Sequence, residues 1–212
     1  MKKASKHLLA VGAILSLGLV LSTTQANAAP APSKPEVQTS TDTTEATVTL
    51  KQSEKEGAIK IEQTPVYHFD NLEISAFSKD YTATSVEKNL TISNPGFESG
   101  YNVAARITDF IQKAGTRKGD PAASKLNGAD FSITTGTIAA VEAGNLSGKP
   151  ETFNDIHLNN TDTIIMNATA GNGLGRYSLT HDKSAVKLGI PGGNKVGSYK
   201  ATITWTLRNV PA

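Results

Sequence analysis

Cysteine is absent from the chain's 212 residues, which excludes disulfides, thiol catalysis, cysteine metal sites and a lipid-modified N-terminal cysteine. The fold must be held by core packing alone, as a domain of this length can be. Aromatic residues are scarce, 6% of the chain, and there is a single Trp. Charge of one sign does not dominate either, with 21 Lys and Arg against 19 Asp and Glu. The main apolar run, residues 8–21, is interrupted by Gly12, Ser16 and Gly18 and falls short of the roughly 20 residues that span a bilayer. Helical periodicity is nearly missing, and no Leu-Pro-x-Thr-Gly sorting motif occurs.

Lys2, Lys3 and Lys6 precede the apolar run, and Ala26-Asn27-Ala28 follows it with small residues. Residues 1–28 therefore read as a secretory signal peptide, cut after Ala28. Its removal takes three lysines and no acid, leaving eighteen basic side chains against nineteen acidic ones. The basic balance belongs to the export signal, so a nucleic-acid partner loses its support. No membrane span is expected after cleavage. Residues 29–44, rich in Pro and Thr, read as an extended, flexible linker, and residues 45–212 suit one domain. Without a sorting motif or a terminal apolar segment, a surface location is expected to rest on non-covalent binding.

What the chain does have is period-two alternation. Residues 46–50, 58–62, 66–69, 72–74 and 89–92 read as strands, as does 101–111, where Tyr101, Val103, Ala105 and Ile107 share a face. Residues 131–133, 163–166, 177–179 and 185–190 continue the series. Between them lie turn markers such as Asn94-Pro95-Gly96, Lys118-Gly119-Asp120-Pro121 and Gly171-Asn172-Gly173. Residues 150–157 read as one short helical turn near Phe153. Many short strands with polar turns and no βαβ alternation predict an all-β, single-domain antiparallel sandwich, Ig-like or related, of roughly ten strands. Long inserts are expected at 113–130 and 142–162.

The last strand carries the clearest pattern. Tyr199, Ala201, Ile203, Trp205 and Leu207 fall on one face; Lys200, Thr202, Thr204, Thr206 and Arg208 fall on the other. Pro211 cannot donate to a sheet ladder and ends it. Trp205-Thr206-Leu207 in this setting, behind the Gly-rich Ile190-Pro191-Gly192-Gly193-Asn194-Lys195-Val196-Gly197, resembles the C-terminal signature of the WxL-domain surface proteins of Gram-positive bacteria. Members carry a second, earlier Trp-x-Leu motif. Its counterpart here is Tyr101-Asn102-Val103, with Tyr in place of Trp and Val in place of Leu. The resemblance covers about residues 45–212. It implies non-covalent attachment to peptidoglycan, and clustering with other WxL proteins and with membrane-tethered WxL-interacting proteins. It also marks Trp205, Leu207, Tyr101 and Val103 as candidate wall or partner contacts.

Two readings of Trp205 stand side by side. It packs in the core, or it joins Tyr101 in an exposed aromatic platform for glycan rings or a partner; the unbroken alternation favours the core. Lys113, Arg117 and Lys118 form a small basic cluster, either plain solvated surface or a set of weak contacts to an anionic wall polymer. Ser85-Val86-Glu87-Lys88 and Ser184-Ala185-Val186-Lys187 have serine–lysine nucleophile spacing, but no Lys-Thr-Gly companion occurs, and in the strand-like second match Ser184 and Lys187 face opposite sides. Gly171-Asn172-Gly173-Leu174-Gly175 has no helix behind it to hold phosphate. His68, His157 and His181, and Asp109, Asp120, Asp130 and Asp155, lack metal-ligand spacing. No cofactor, metal or catalytic residue is expected. The chain reads as an exported, non-enzymatic sandwich held on the Gram-positive wall. Its rival is an interaction subunit that touches the wall only through a partner; a secreted hydrolase would need a convergent acid pair that the sequence does not suggest.

Overall fold

The computed structural model describes residues 43–51, 57–112 and 124–209. The signal peptide, nearly all of the linker, the basic cluster Lys113, Arg117 and Lys118, the turn at 118–121 and Pro211 lie outside the described residues. The compact unit runs from Thr49 to Ala212.

Sixteen strands lie among the described residues. They are β1 (Lys60–Gln63), β2 (Val66–His68), β3 (Lys79–Thr82), β4 (Ser85–Glu87), β5 (Leu90–Asn94), β6 (Tyr101–Ile107), β7 (Ile111–Gln112) and β8 (Asp130–Ile133). Then follow β9 (Thr137–Ala140), β10 (Glu151–Thr152), β11 (Ile156–Leu158), β12 (Thr163–Ala168), β13 (Gly175–Thr180), β14 (Val186–Ile190), β15 (Tyr199–Lys200) and β16 (Ile203–Asn209). Three four-stranded sheets have the orders β1-β5-β13-β9, β10-β12-β6-β16 and β11-β8-β14-β3, and two ribbons pair β15 with β7 and β2 with β4. Every named pairing is antiparallel. The protein is an all-β sandwich, as the alternation predicts.

The core sits under the central strands. β5 is buried at all five positions because β1 and β13 flank it and both of its faces are covered. Leu90, Ile92, Tyr101, Val103, Ile133, Ile165 and Leu179 are fully excluded from solvent. Burying each such side chain is worth about 1.5–3 kcal/mol, and without disulfides this packing holds the sheets together. At the β5 turn, Asn94 accepts from the Gly96 and Phe97 amides at 3.2 and 2.7 Å and donates to the Phe97 carbonyl at 2.9 Å. A buried amide is thereby satisfied by the turn that Pro95-Gly96 makes.

Four expectations need correction. Residues 46–50 form no strand, since no described strand pairs with them, and Val48 and Leu50 are exposed. Residues 72–74 are likewise irregular and border a cleft instead. The helical turn at 150–157 is absent: β10 and β11 occupy it, joined through Asp155 at φ 52°. Ile156 and Leu158 are buried and pair with β8, so tertiary pairing decides over local preference. The last strand, continuous in pattern, breaks at Ala201 and Thr202. β16 stays on β6 while β15 pairs with β7. The break in 101–111 lies directly opposite, where Thr108 donates its amide to the Thr202 carbonyl at 3.0 Å and accepts from the Thr202 amide at 2.9 Å.

Candidate functional site

Beyond that double break the β7–β15 ribbon leaves the sheet, and a cleft of about 1000 Å³ opens there. Residues 64–74, which include β2, form one wall, and residues 194–203 form the other. Ile107, Phe131 and Leu188 from the core give it an apolar floor. Seven of the chain's twelve aromatic residues line this one space: Tyr67 and Phe69 on the first wall, Tyr199 and Trp205 on the second, and Tyr81, Phe110 and Phe131 between them. In a chain so poor in aromatics, that convergence marks the cleft.

The rings are held in place by one another and by the core. Phe131 meets Tyr67 edge-on at 5.2 Å between centroids and Phe69 at 6.1 Å. Trp205 is half-buried. Its partner across the ladder is the small Ala105, and it packs against the core while also bordering the cleft. Tyr67 O–H and His181 Nδ1 lie 2.8 Å apart behind the first wall. Burial pushes the Tyr67 phenol up and the His181 imidazole down to about 4, so both are neutral at pH 7. The phenol is thus tied inward and its ring is left to the cleft.

The second wall is the Gly-rich turn that the sequence places before the last strand. Asn194 pins it, accepting from the Asn127 amide at 2.7 Å and donating to the Asn127 and Pro191 carbonyls at 3.0 Å each. Gly192 lies so close to the 76–77 backbone that a Cβ there would stand 2.3 Å from the Ala76 carbonyl oxygen. Tyr199 O–H donates to the Lys195 carbonyl at 2.8 Å. Asp70, Glu73, Lys195 and Lys200 supply polar groups of both signs around the cleft.

The structure separates the motif residues. Trp205 borders the cleft, and Leu207 is half-buried against the core. Tyr101 and Val103 are fully buried and out of reach of a polymer. Tyr101 pairs with Asn209, four residues along from Trp205 and therefore about 13 Å away. No platform of Tyr101 with Trp205 forms. Gly173 closes the Tyr101 pocket, since a Cβ there would lie 2.9 Å from the ring, and burial, then the nearby Tyr177, pushes the phenol up.

Several of the remaining candidates are engaged locally. His157 pairs with Asp130 at 2.9 Å, His68 lies 3.4 Å from Glu87, and Asp109 pairs with Lys125 at 2.8 Å. Ser184 Oγ donates to Asp182 at 2.6 Å in a single 3-10 turn, with no helix to bring Lys187 round to it. Among the described residues no three His, Asp or Glu side chains gather as a metal site. Sequence reasoning missed Tyr67, Phe69, Phe110, Phe131 and Tyr199 as site residues. Their strand phases were legible; their meeting from segments more than a hundred residues apart was not.

The site is thus an aromatic-lined cleft in a disulfide-free sandwich. Residues 19–211 match the family described as "WxL domain surface cell wall-binding", and the chain belongs to that family. No curated protein and no solved structure matches it. Membership gives the protein a cell-surface, wall-binding role in a family that is not catalytic. No helix among the described residues is long and apolar enough to cross a membrane.

Proposed function

We propose that the protein attaches to peptidoglycan directly and non-covalently, through the cleft that Trp205 borders. The observation that carries this reading is the gathering of seven aromatic side chains around one cleft, five of them, the sole Trp included, partly exposed. Sugar rings present apolar C–H faces and a rim of hydroxyls; a good site offers apolar walls with a few placed polar groups. The cleft has both, and its openness suits a polymer that enters and leaves along its length. Export through residues 1–28 and cleavage after Ala28 belong to the same reading, and N-terminal sequencing of the wall-associated protein should begin at Ala29.

Sedimentation with protein-stripped sacculi tests it. The purified protein should pellet with the sacculi, and Trp205→Ala should lose at least about tenfold in affinity while remaining folded, a loss of about 1.4 kcal/mol. Wild-type protein left in the supernatant would show that attachment is indirect. That second reading, a subunit held on the wall by other WxL proteins or by a membrane-tethered partner, has its own support. Ile74 and Val196 on opposite walls are 49% and 74% exposed. Apolar side chains so placed suit a protein surface better than a sugar.

A further inference from the structure

Glu45-Ala46-Thr47-Val48-Thr49-Leu50 alternates strictly, yet no strand forms there, and Val48 and Leu50 are 83% and 90% exposed. An unpaired, strand-forming segment with its apolar side chains in water is a template for pairing. β16 offers a matching edge: β6 lies on one side of it, and no strand among the described residues lies on the other.

The two sequences fit in one register. With the segment antiparallel to β16 and Val48 opposite Trp205, Ala46 meets Leu207 and Leu50 meets Ile203 on the apolar face. On the polar face Thr47 meets Thr206, Thr49 meets Thr204, and Glu45 meets Arg208. Aromatic with β-branched, Thr with Thr, and acid with base are the cross-strand pairs that stabilise sheets. A slip of one residue sets apolar against polar throughout. A slip of two places Lys51 against Lys200 in one direction and Ala46 against Asn209 in the other. Folding back onto the free edge of β1 offers less: with the apolar faces aligned, Thr47 and Thr49 would meet Glu62 and Lys60.

We propose that residues 45–50 are a donor strand that adds to β16 of a second copy of this chain. Every copy carries both halves, and no strand among the described residues pairs with the donor. Because donor and acceptor are different surfaces, the contact is head-to-tail and leaves a free half at each end, so assembly is open-ended. Copies on the wall would form runs, each reinforcing its neighbours' hold.

Sedimentation velocity over a concentration series, on the chain purified as its producing cells process it, decides the matter. Dimers and longer species should grow with concentration. Thr47→Pro and Val48→Asp should each leave a monomer, and neither can unfold the sandwich, since both residues lie in the unpaired segment. Arg208 also pairs with Asp162 in its own chain, so the charge test is Glu45→Arg, which should weaken association roughly fivefold. A wild type that stays monomeric, or association that survives Thr47→Pro, would overturn the proposal. No wall material is present in this experiment, so its failure and the failure of the wall-binding reading are separate results.

Discussion

Trp205 serves two surfaces at once, with one side on the core and the other on the cleft. Its removal should therefore cost about 2 kcal/mol, less than the roughly 3–5 of a fully buried aromatic residue, and leave a folded protein in a thermal melt. Tyr101 is the opposite case. Its pocket is full, so Tyr101→Trp, which restores the family's usual residue, should cost about 1–3 kcal/mol by overpacking and add nothing to sacculus binding. His181 predicts acid sensitivity. Its unfolded value is 6.5 and its folded value about 4, so between them the unfolded chain binds more protons. Stability should be complete above pH 6.5 and fall by up to about 3 kcal/mol as the pH drops towards 4, because a charged ring would be buried with Tyr67 as its hydrogen-bond partner. Denaturant melts of the wild type and His181→Gln across that window check this; equal slopes would contradict it. At this scale the sequence showed Trp205 through its motif, but its alternation could not distinguish a core face from a face shared with a cleft.

Among the elements, the Gly-rich turn ahead of β15 leads into the second wall of the cleft. Asn194→Ala removes three hydrogen bonds that tie this turn to Asn127 and Pro191 and should cost about 1–2 kcal/mol. Amide exchange should quicken across residues 191–198 and stay unchanged in β5, and sacculus binding should weaken with the loosened wall. Elements were legible where alternation and turn chemistry agreed, as at β5 with its Asn94-Pro95-Gly96 turn. β3 was not, because Lys79-Asp80-Tyr81-Thr82 carries one apolar residue and is a strand only through its pairing with β14. Nor was the break at Thr202, whose cause is a pair of hydrogen bonds to Thr108, 94 residues away. Residues 46–50 show the reverse: a strand pattern with no partner strand among the described residues.

For the molecule as a whole, the scarcity of aromatic residues is what gives the cleft its meaning, and the sole Trp makes that meaning measurable. Only Trp205 emits as tryptophan, so its fluorescence reports on the cleft without a label. The direct test is a titration of the purified protein with soluble, muramidase-released peptidoglycan fragments, following the emission maximum. A sugar ring laid on the half-exposed indole should displace water and give a saturable blue shift, absent when unrelated oligosaccharides are added. An emission maximum that never moves, while the same protein still pellets with stripped sacculi, would show that the wall is held elsewhere and that the cleft is not the binding site.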